Sequence, residues 1–376
     1  MTAYLDCAAT SMQKPRAVIR AMAYSTGHMA SPGRGGHRPA MRAGETVYAC
    51  RQEAMELFHV PQPEQVVFTF NATHGLNIAM KSLIKPGDTV LISGYEHNAV
   101  TRPLAAIPDV TVKSVKTPLF QSEAFLEEFR QQLTGEVTAV VCTHVSNVFG
   151  YILPIYEVAE LCAEQGVPLI VDASQSAGCL PVRMDQLKAA FVAMPGHKGL
   201  FGPQGTGILL CGHEAVPLLE GGTGSRSALQ TMPDFLPDRL EAGTHNVCGI
   251  AGLLEGIRFV RRMGTQRILT HEKRLIGQAV ERLSTIPGVH LMAAPGLTNQ
   301  SGVCSFWHDR IDCEVLGNEL GARGIAVRAG LHCAPRAHET AGTLDRGTVR
   351  FSVSPFNNRG DLRRFENALR QCVNKV

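Results

Sequence analysis

Tryptophan occurs once in the 376 residues, and no apolar stretch is long enough to cross a bilayer as a helix. A membrane-spanning protein is therefore not expected. Basic runs are missing as well: 36 Lys and Arg stand against 33 Asp and Glu, scattered along the chain, for a formal charge of +3. Without a concentrated positive stripe, nucleic acid is not an expected partner. The opening Met1-Thr-Ala-Tyr-Leu-Asp6 has neither a basic segment nor a following apolar one, so no secretory signal is read. Eleven cysteines are present, yet none forms a Cys-x-x-Cys pair and no histidine cluster completes a zinc pattern. Neither a metal site nor a disulfide framework is expected, and a reducing cytoplasm suits such a chain. Most of these thiols read as small buried apolar side chains.

What is there is the composition of an ordinary soluble enzyme, 44% hydrophobic and 18% charged, with length enough for a large core in two domains. Short apolar runs at Val66–Phe70, Val90–Ser93, Ala139–Cys142, Leu169–Asp172, Phe191–Met194 and Gly207–Cys211 read as strands. Several lack a polar face, which implies burial on both sides in a mostly parallel sheet. Thr73–Leu83, Ala124–Leu133 and Ile155–Glu164 read as the intervening helices. This alternation predicts an α/β domain with ligands at the carboxyl ends of the strands. Residues 213–245, rich in Gly, Ser and Pro, read as a long loop, and 248–286 as helical. A smaller α+β part would follow, with strands at Gly302–Phe306, Ile325–Arg328 and Val349–Val353 and a helix over Asp361–Cys372. The amphipathic Ala17–Ala23 has no strand neighbour and is expected to pack on that smaller part.

Chemistry concentrates around Lys198, which sits between an apolar run and the turn Gly199-Leu-Phe-Gly-Pro-Gln-Gly205. A lysine so placed can hold an aldehyde cofactor as a Schiff base, and Asp172, at the end of an apolar strand, can keep that cofactor's ring nitrogen protonated. Phe70-Asn-Ala-Thr-His-Gly-Leu-Asn77 marks a strand passing into a helix, whose free N–H groups and Thr73 hydroxyl would favour a phosphate. Asn71 or Thr73 would serve equally as a plain helix cap. Gln175, three residues beyond Asp172, could bond a phenolic oxygen. His97, at another strand tip, could stack on a flat ring and move protons.

Taken in order, Tyr4-Leu-Asp-Cys-Ala-Ala-Thr10, Asn71–Asn77, Glu96-His97, Ser146-Asn-Val-Phe-Gly150, Asp172-Ala-Ser-Gln175, Gly196-His-Lys198 and Glu241-Ala-Gly-Thr244 resemble the class V aminotransferase superfamily, in its cysteine desulfurase branch. Val327-Arg-Ala-Gly-Leu-His-Cys-Ala-Pro335 is similar to the short-loop, group II desulfurases, which include selenocysteine lyase-like members. The resemblance implies the fold-type I pyridoxal 5'-phosphate architecture: a large domain, 14–262, on a mostly parallel seven-stranded sheet, and a small domain built from 1–13 and 263–376. It implies a homodimer with pyridoxal phosphate on Lys198, held by Thr73, His74, His97, Asp172, Gln175 and His197, with Thr244 reaching the neighbouring subunit's cofactor. Asn147, Arg328 and Arg350 would bind the substrate, and Lys198, His97 and Cys333 would be catalytic. Arg350 offers a fork suited to an α-carboxylate, and Arg328 and His332 beside Cys333 are expected to favour its thiolate.

The reaction so implied converts L-cysteine to L-alanine, leaving a persulfide on Cys333 for an acceptor protein or thiol, as in iron–sulfur cluster assembly. L-selenocysteine lyase, or another β-lyase or aminotransferase of class V, is the alternative. The chain departs from its relatives at Pro195, where many have serine, at Asn71-Ala72 in place of Gly-Thr, at His74, and at Asp6-Cys7 in place of Asp-Asn.

Overall fold

The computed structural model describes residues 2–33 and 35–374. The chain begins with β1 (Ala3–Tyr4), α1 (Arg16–His28), α2 (Arg38–Phe58), β2 (Val66–Thr69) and α3 (Ala72–Leu83). It continues through β3 (Thr89–Ser93), α4 (Asn98–Ala105), β4 (Thr111–Val115), α5 (Ser122–Gln132), β5 (Val137–Thr143) and α6 (Ile155–Gln165). Next come β6 (Leu169–Asp172), α7 (Met184–Leu187), β7 (Phe191–Pro195) and β8 (Gly207–Cys211). The last third holds α8 (Val247–Met263), α9 (Thr265–Leu283), β9 (Val289–Met292), β10 (Val303–His308), α10 (Cys313–Ala322) and β11 (Ile325–Ala326). It ends with β12 (Arg328–Gly330), α11 (Pro335–Thr340), β13 (Thr348–Ser352) and α12 (Arg359–Val373).

Seven strands form one sheet in the order β2-β8-β7-β6-β5-β3-β4. β7, β6, β5, β3 and β4 run parallel, while β8 lies antiparallel to both β7 and β2. Because side chains alternate across a strand, Val140 and Cys142 of β5 enter one apolar layer and Ala139 and Val141 the other. Both faces are thus buried, and the strands read as unbroken apolar runs. On one face α3 lies close to the sheet. A Cβ at Gly75 would meet Ala193 Cβ at 3.3 Å and Leu209 Cβ at 3.5 Å.

β12-β13-β10-β9 form a second, antiparallel sheet. It packs with α9, α10 and α12 around Phe306, Phe351 and Phe365, whose ring centroids lie 5.2–6.3 Å apart. A reciprocal capping box between Asn358 and Asp361 starts α12. β1 pairs in parallel with β11, tying the start of the described chain to this layer.

Several expectations need correcting. α1 packs along α8 rather than on the smaller part, with Met22 seated against Gly252. The reason lies just before it, where Lys14 Nζ donates to Gly202 O at 2.7 Å and Ser11 N–H donates to His197 O at 2.9 Å. The helical stretch over 248–286 is two helices, broken at Gly264, whose φ of 81° no helix accepts. The strand expected at Ile325–Arg328 divides: β11 pairs with β1 and β12 turns to β13. Eight elements among the described residues went unread, namely β1, α2, α4, β4, α7, β9, α10 and α11. Residues 213–245 do form the long loop expected of them. No helix among the described residues is long and apolar enough to cross a membrane.

Candidate active site

The strand tips meet along one edge of the large sheet. Asp172 ends β6, Pro195 ends β7, Thr143 ends β5, His97 follows β3 and Asn71 follows β2. There, Thr73, His97, Asn147, Asp172, Gln175, His197 and Lys198 line one cleft. Two glycines bring its walls together. A Cβ at Gly178 would lie 2.1 Å from Gly199 O, and one at Gly199 would lie 2.3 Å from Ala177 O. Only bare Cα atoms let the turn after Asp172 approach the turn after Lys198 this closely.

Among the described residues, no group hydrogen-bonds to Lys198 Nζ. Burial lowers its pKa from 10.5 to about 8, with the Asp172 carboxylate opposing that shift and Arg350 and Arg328 adding to it. Asp172 is 3% exposed, and its Oδ1 accepts from Ser174 N–H at 2.9 Å, with no described partner on Oδ2. His97 Nδ1 accepts from Ala99 N–H at 3.0 Å, capping α4. Burial lowers the His97 pKa despite nearby Asp172, so the ring is neutral with its proton on Nε2. The His197 pKa falls to about 4, chiefly through burial, then through Lys198 and Lys14. Its Nδ1 lies 3.0 Å from Thr10 Oγ1. Gln175 gives one amide proton to Ala8 O at 3.0 Å, so it also ties down the segment after β1.

Arg350, on β13, is 2% exposed. Its Nη1 donates to Asn147 O at 2.9 Å and its Nη2 to Asp6 Oδ1 at 2.8 Å, while Nε has no partner among the described residues. The Asn147 side chain reaches the other way, donating from Nδ2 to His332 O at 2.9 Å. Next in sequence, Cys333 O accepts from Asn98 N–H at 2.8 Å. The loop carrying Cys333 is thereby hung on the elements that carry His97 and Asn147, and the cysteine itself is exposed.

Other expected residues lie apart. His74 stacks on Phe70 at 4.7 Å and does not line the cleft. Thr244 is exposed in the loop before α8 and Arg328 is exposed on β12, opposite Arg350. The expectation that His332 helps charge the thiol is wrong: burial, then Arg350, holds its pKa well below the ordinary value, leaving it neutral.

Two carboxylates were given no role by sequence reasoning. Glu96 Oε1 accepts from Thr143 N–H at 2.7 Å and from Ser93 Oγ at 2.5 Å, joining the tips of β3 and β5 beside His97. Burial raises its pKa to about 8. Glu241 forms a buried ion pair with Arg51 and accepts from Phe68 N–H at 2.6 Å, fixing the loop that bears Thr244. Their places within the Glu96-His97 and Glu241–Thr244 motifs were the available signals.

A partnerless amine, a buried carboxylate, a neutral imidazole and a helix start with a free hydroxyl form a donor set that fits pyridoxal phosphate. The class-V aminotransferase family profile matches residues 3–365. A probable cysteine desulfurase of Mycolicibacterium paratuberculosis is 32% identical over 387 aligned positions, covering 98% of this chain and 55% of that protein. The chain thus spans about half the length of that relative. A probable cysteine desulfurase of Xylella fastidiosa is 32% identical over 380 positions, covering 97% of this chain and 89% of that one. An apo cysteine desulfurase structure from Thermococcus onnurineus has TM-score 0.91 at 28% identity, covering 100% of this chain and 95% of that one. Matched almost end to end, the chain belongs to the class-V aminotransferase family and, within it, to the cysteine desulfurases.

Proposed function

We propose that the chain is a pyridoxal phosphate-dependent L-cysteine desulfurase that releases L-alanine and carries the sulfur away on Cys333. One observation bears most of the weight: the carbonyls of His332 and Cys333 are held by Asn147 and Asn98, beside the cleft that holds Lys198 and Asp172. A plain aminotransferase has no use for a thiol fixed there.

Lys198, Asp172, Thr73, His97, Gln175 and His197 would hold pyridoxal phosphate, which supplies an electron sink for charge released at the substrate Cα. Arg350 would grip the α-carboxylate, with Asn147 bridging it to the thiol loop. Lys198 Nζ is the base for the Cα proton, since its lowered pKa leaves much of it neutral near pH 8. The neutral His97 ring, with its proton on Nε2, would pass a proton across the cleft. Cys333 Sγ, as thiolate, would attack the substrate sulfur, so that C–S cleavage proceeds through a persulfide on the protein.

Thr244 lies outside this cleft, which fits a role toward the cofactor of a second subunit. Ile19, Tyr24, Met41 and Tyr48, exposed on α1 and α2, give a homodimer apolar surface to bury. A large unit 14–262 and a small unit from 1–13 and 263–376 would each centre on one of the two sheets, with Ile268, Leu269, Ala334 and Ala337 packing onto the larger part. The sulfur would pass to an acceptor protein or thiol in the cytoplasm, for iron–sulfur assembly or a related use.

Incubating the holoenzyme with L-cysteine and a reductant tests the reading. Alanine and sulfide are expected in equal amounts. Pyruvate and ammonia instead would mark a β-lyase and overturn it.

A further inference from the structure

Arg350 carries more than its own pairing explains. Its Nε and Nη2 share one edge of the guanidinium, the edge that takes a carboxylate with two parallel bonds. Asp6 uses that edge with a single contact, Oδ1 to Nη2 at 2.8 Å. The neighbouring Nε–H is buried and bonds to nothing among the described residues, an expensive state for a donor on a residue only 2% exposed. Nη1 is already committed to Asn147 O. The edge is therefore half filled, by a carboxylate belonging to the chain itself.

A second cation stands alongside. Arg328 is the direct cross-strand partner of Arg350 in the β12–β13 ladder, so both project from the same face, where like charges repel. Arg328 is exposed, and no described acidic side chain lies within ion-pair distance of it. Asp6 is reached through the turn after β1, and its side chain keeps 20% exposure, against 3% for Arg350. Arg350 meets the cleft through Asn147, which lines it, and Asp6 and Arg328 each adjoin Arg350. Two guanidinium groups face one resident carboxylate, so one positive charge among the three is unmatched.

We propose that Asp6 is a specificity-determining residue: its carboxylate holds half of the Arg350 edge that an incoming α-carboxylate needs, and it gives way by turning toward Arg328. Resting Arg350 is thus kept neutralised and in place, and each carboxylate ligand must displace Asp6 to bind with both oxygens. The inference rests on the desulfurase reading only for the identity of that ligand as L-cysteine.

The test uses the holoenzyme and two readouts, KM for L-cysteine and the dissociation constant of propanoate by calorimetry. Propanoate has the carboxylate but no amine, so it reports on the arginine alone. In Asp6→Asn, removing one competing charge-assisted bond lowers both constants by about five- to tenfold. In Arg328→Gln, the displaced Asp6 has no second cation, and both constants rise. In the double variant the Arg328 effect shrinks, because there is no displaced charge left to receive.

Unchanged or raised constants in Asp6→Asn would overturn the proposal, as would strict additivity of the two substitutions. If Asp6→Asn fails to fold or to retain its cofactor, Arg328→Gln decides by itself, and unaltered constants there overturn the hand-over. A wild-type protein that binds propanoate yet makes no alanine and sulfide from L-cysteine defeats the desulfurase reading and leaves the Asp6 result standing.

Discussion

The buried amine of Lys198 gives the sharpest quantitative prediction. An exposed lysine has an ordinary pKa of 10.5, whereas burial lowers that of Lys198 to about 8. At pH 7 roughly a tenth of the amines are then neutral, against about 0.03% for an unshifted lysine, a difference of roughly 300-fold. Only the neutral amine can attack the aldehyde. Apoprotein mixed with excess pyridoxal phosphate, followed by its visible absorbance, should therefore capture the cofactor at a rate that climbs to about pH 8 and then levels. A rate still climbing at pH 10 would refute the argument. Asp172 is the charge that opposes the lowering, so Asp172→Asn should move the break in the profile below 8.

The same shift has a stability consequence whose sign follows from proton counting. Between about pH 8 and 10.5 the unfolded apoprotein holds the Lys198 proton and the folded one does not. The Lys198 contribution to stability therefore rises with pH across that window, by roughly 3 kcal/mol, and its penalty is fully present below it, while the buried thiols whose pKa burial raises act in the opposite sense. Urea titrations of the apoprotein at pH 7.5 and 10 should show a stability difference between wild type and Lys198→Met that shifts in favour of wild type at the higher pH, the thiol contribution being common to both. Equal slopes in the two proteins would mean that the amine is not desolvated.

Other substitutions separate chemistry from scaffold. Cys333→Ala should cut sulfide release from L-cysteine by about 100-fold or more while leaving the visible cofactor band intact; activity within a few-fold of wild type would remove the thiol from the reaction. Glu241→Ala leaves the buried Arg51 guanidinium without its anion, and should cost roughly 3–5 kcal/mol of unfolding free energy in urea, whereas a loss below about 1 kcal/mol would show that the pair is solvated. Asn147→Ala deletes the bond to His332 O, so hydrogen exchange at residues 331–334 should quicken and turnover slow. Unaltered exchange there would mean that the other contacts suffice to hold the loop.

The legible parts of this chain share a physical cause. Strands buried on both faces, such as β5 and β7, are continuous apolar runs, and the residues at their tips follow directly from where those runs stop. β4 and β9 were invisible because each lies at the edge of its sheet with only partial burial. Thr111-Val-Lys-Ser-Val115 mixes lysine and serine into a strand that covers little. α2 hid for another reason: its start is capped by His37, not by a favoured cap residue, and follows a Gly- and Pro-rich stretch that reads as loop. In the site, Lys198, Asp172 and His97 could be placed by motif alone. The neutrality of His332 and the Asp6–Arg350 pair could not, since burial and a contact across 344 positions leave no local signature.

The thiol loop joins these threads. His332 and Cys333 both sit at left-handed backbone angles, with φ of 51° and 56°, a conformation that costs non-glycine residues on the order of 1–3 kcal/mol each. Such strain persists only where the surroundings enforce it. Here the two carbonyls meet Asn147 Nδ2 and Asn98 N–H at 2.9 and 2.8 Å, and His332 Nε2 lies 3.2 Å from Thr348 Oγ1. The backbone is thus fixed from the cleft side while the Cys333 side chain is left toward solvent. The proposed sulfur-carrying role calls for that division, because one atom would have to collect sulfur beside the cleft and then surrender it outside. A longer, freer loop would deliver the sulfur farther, but it would lose the register with Arg350 that Asn147 imposes through its own backbone.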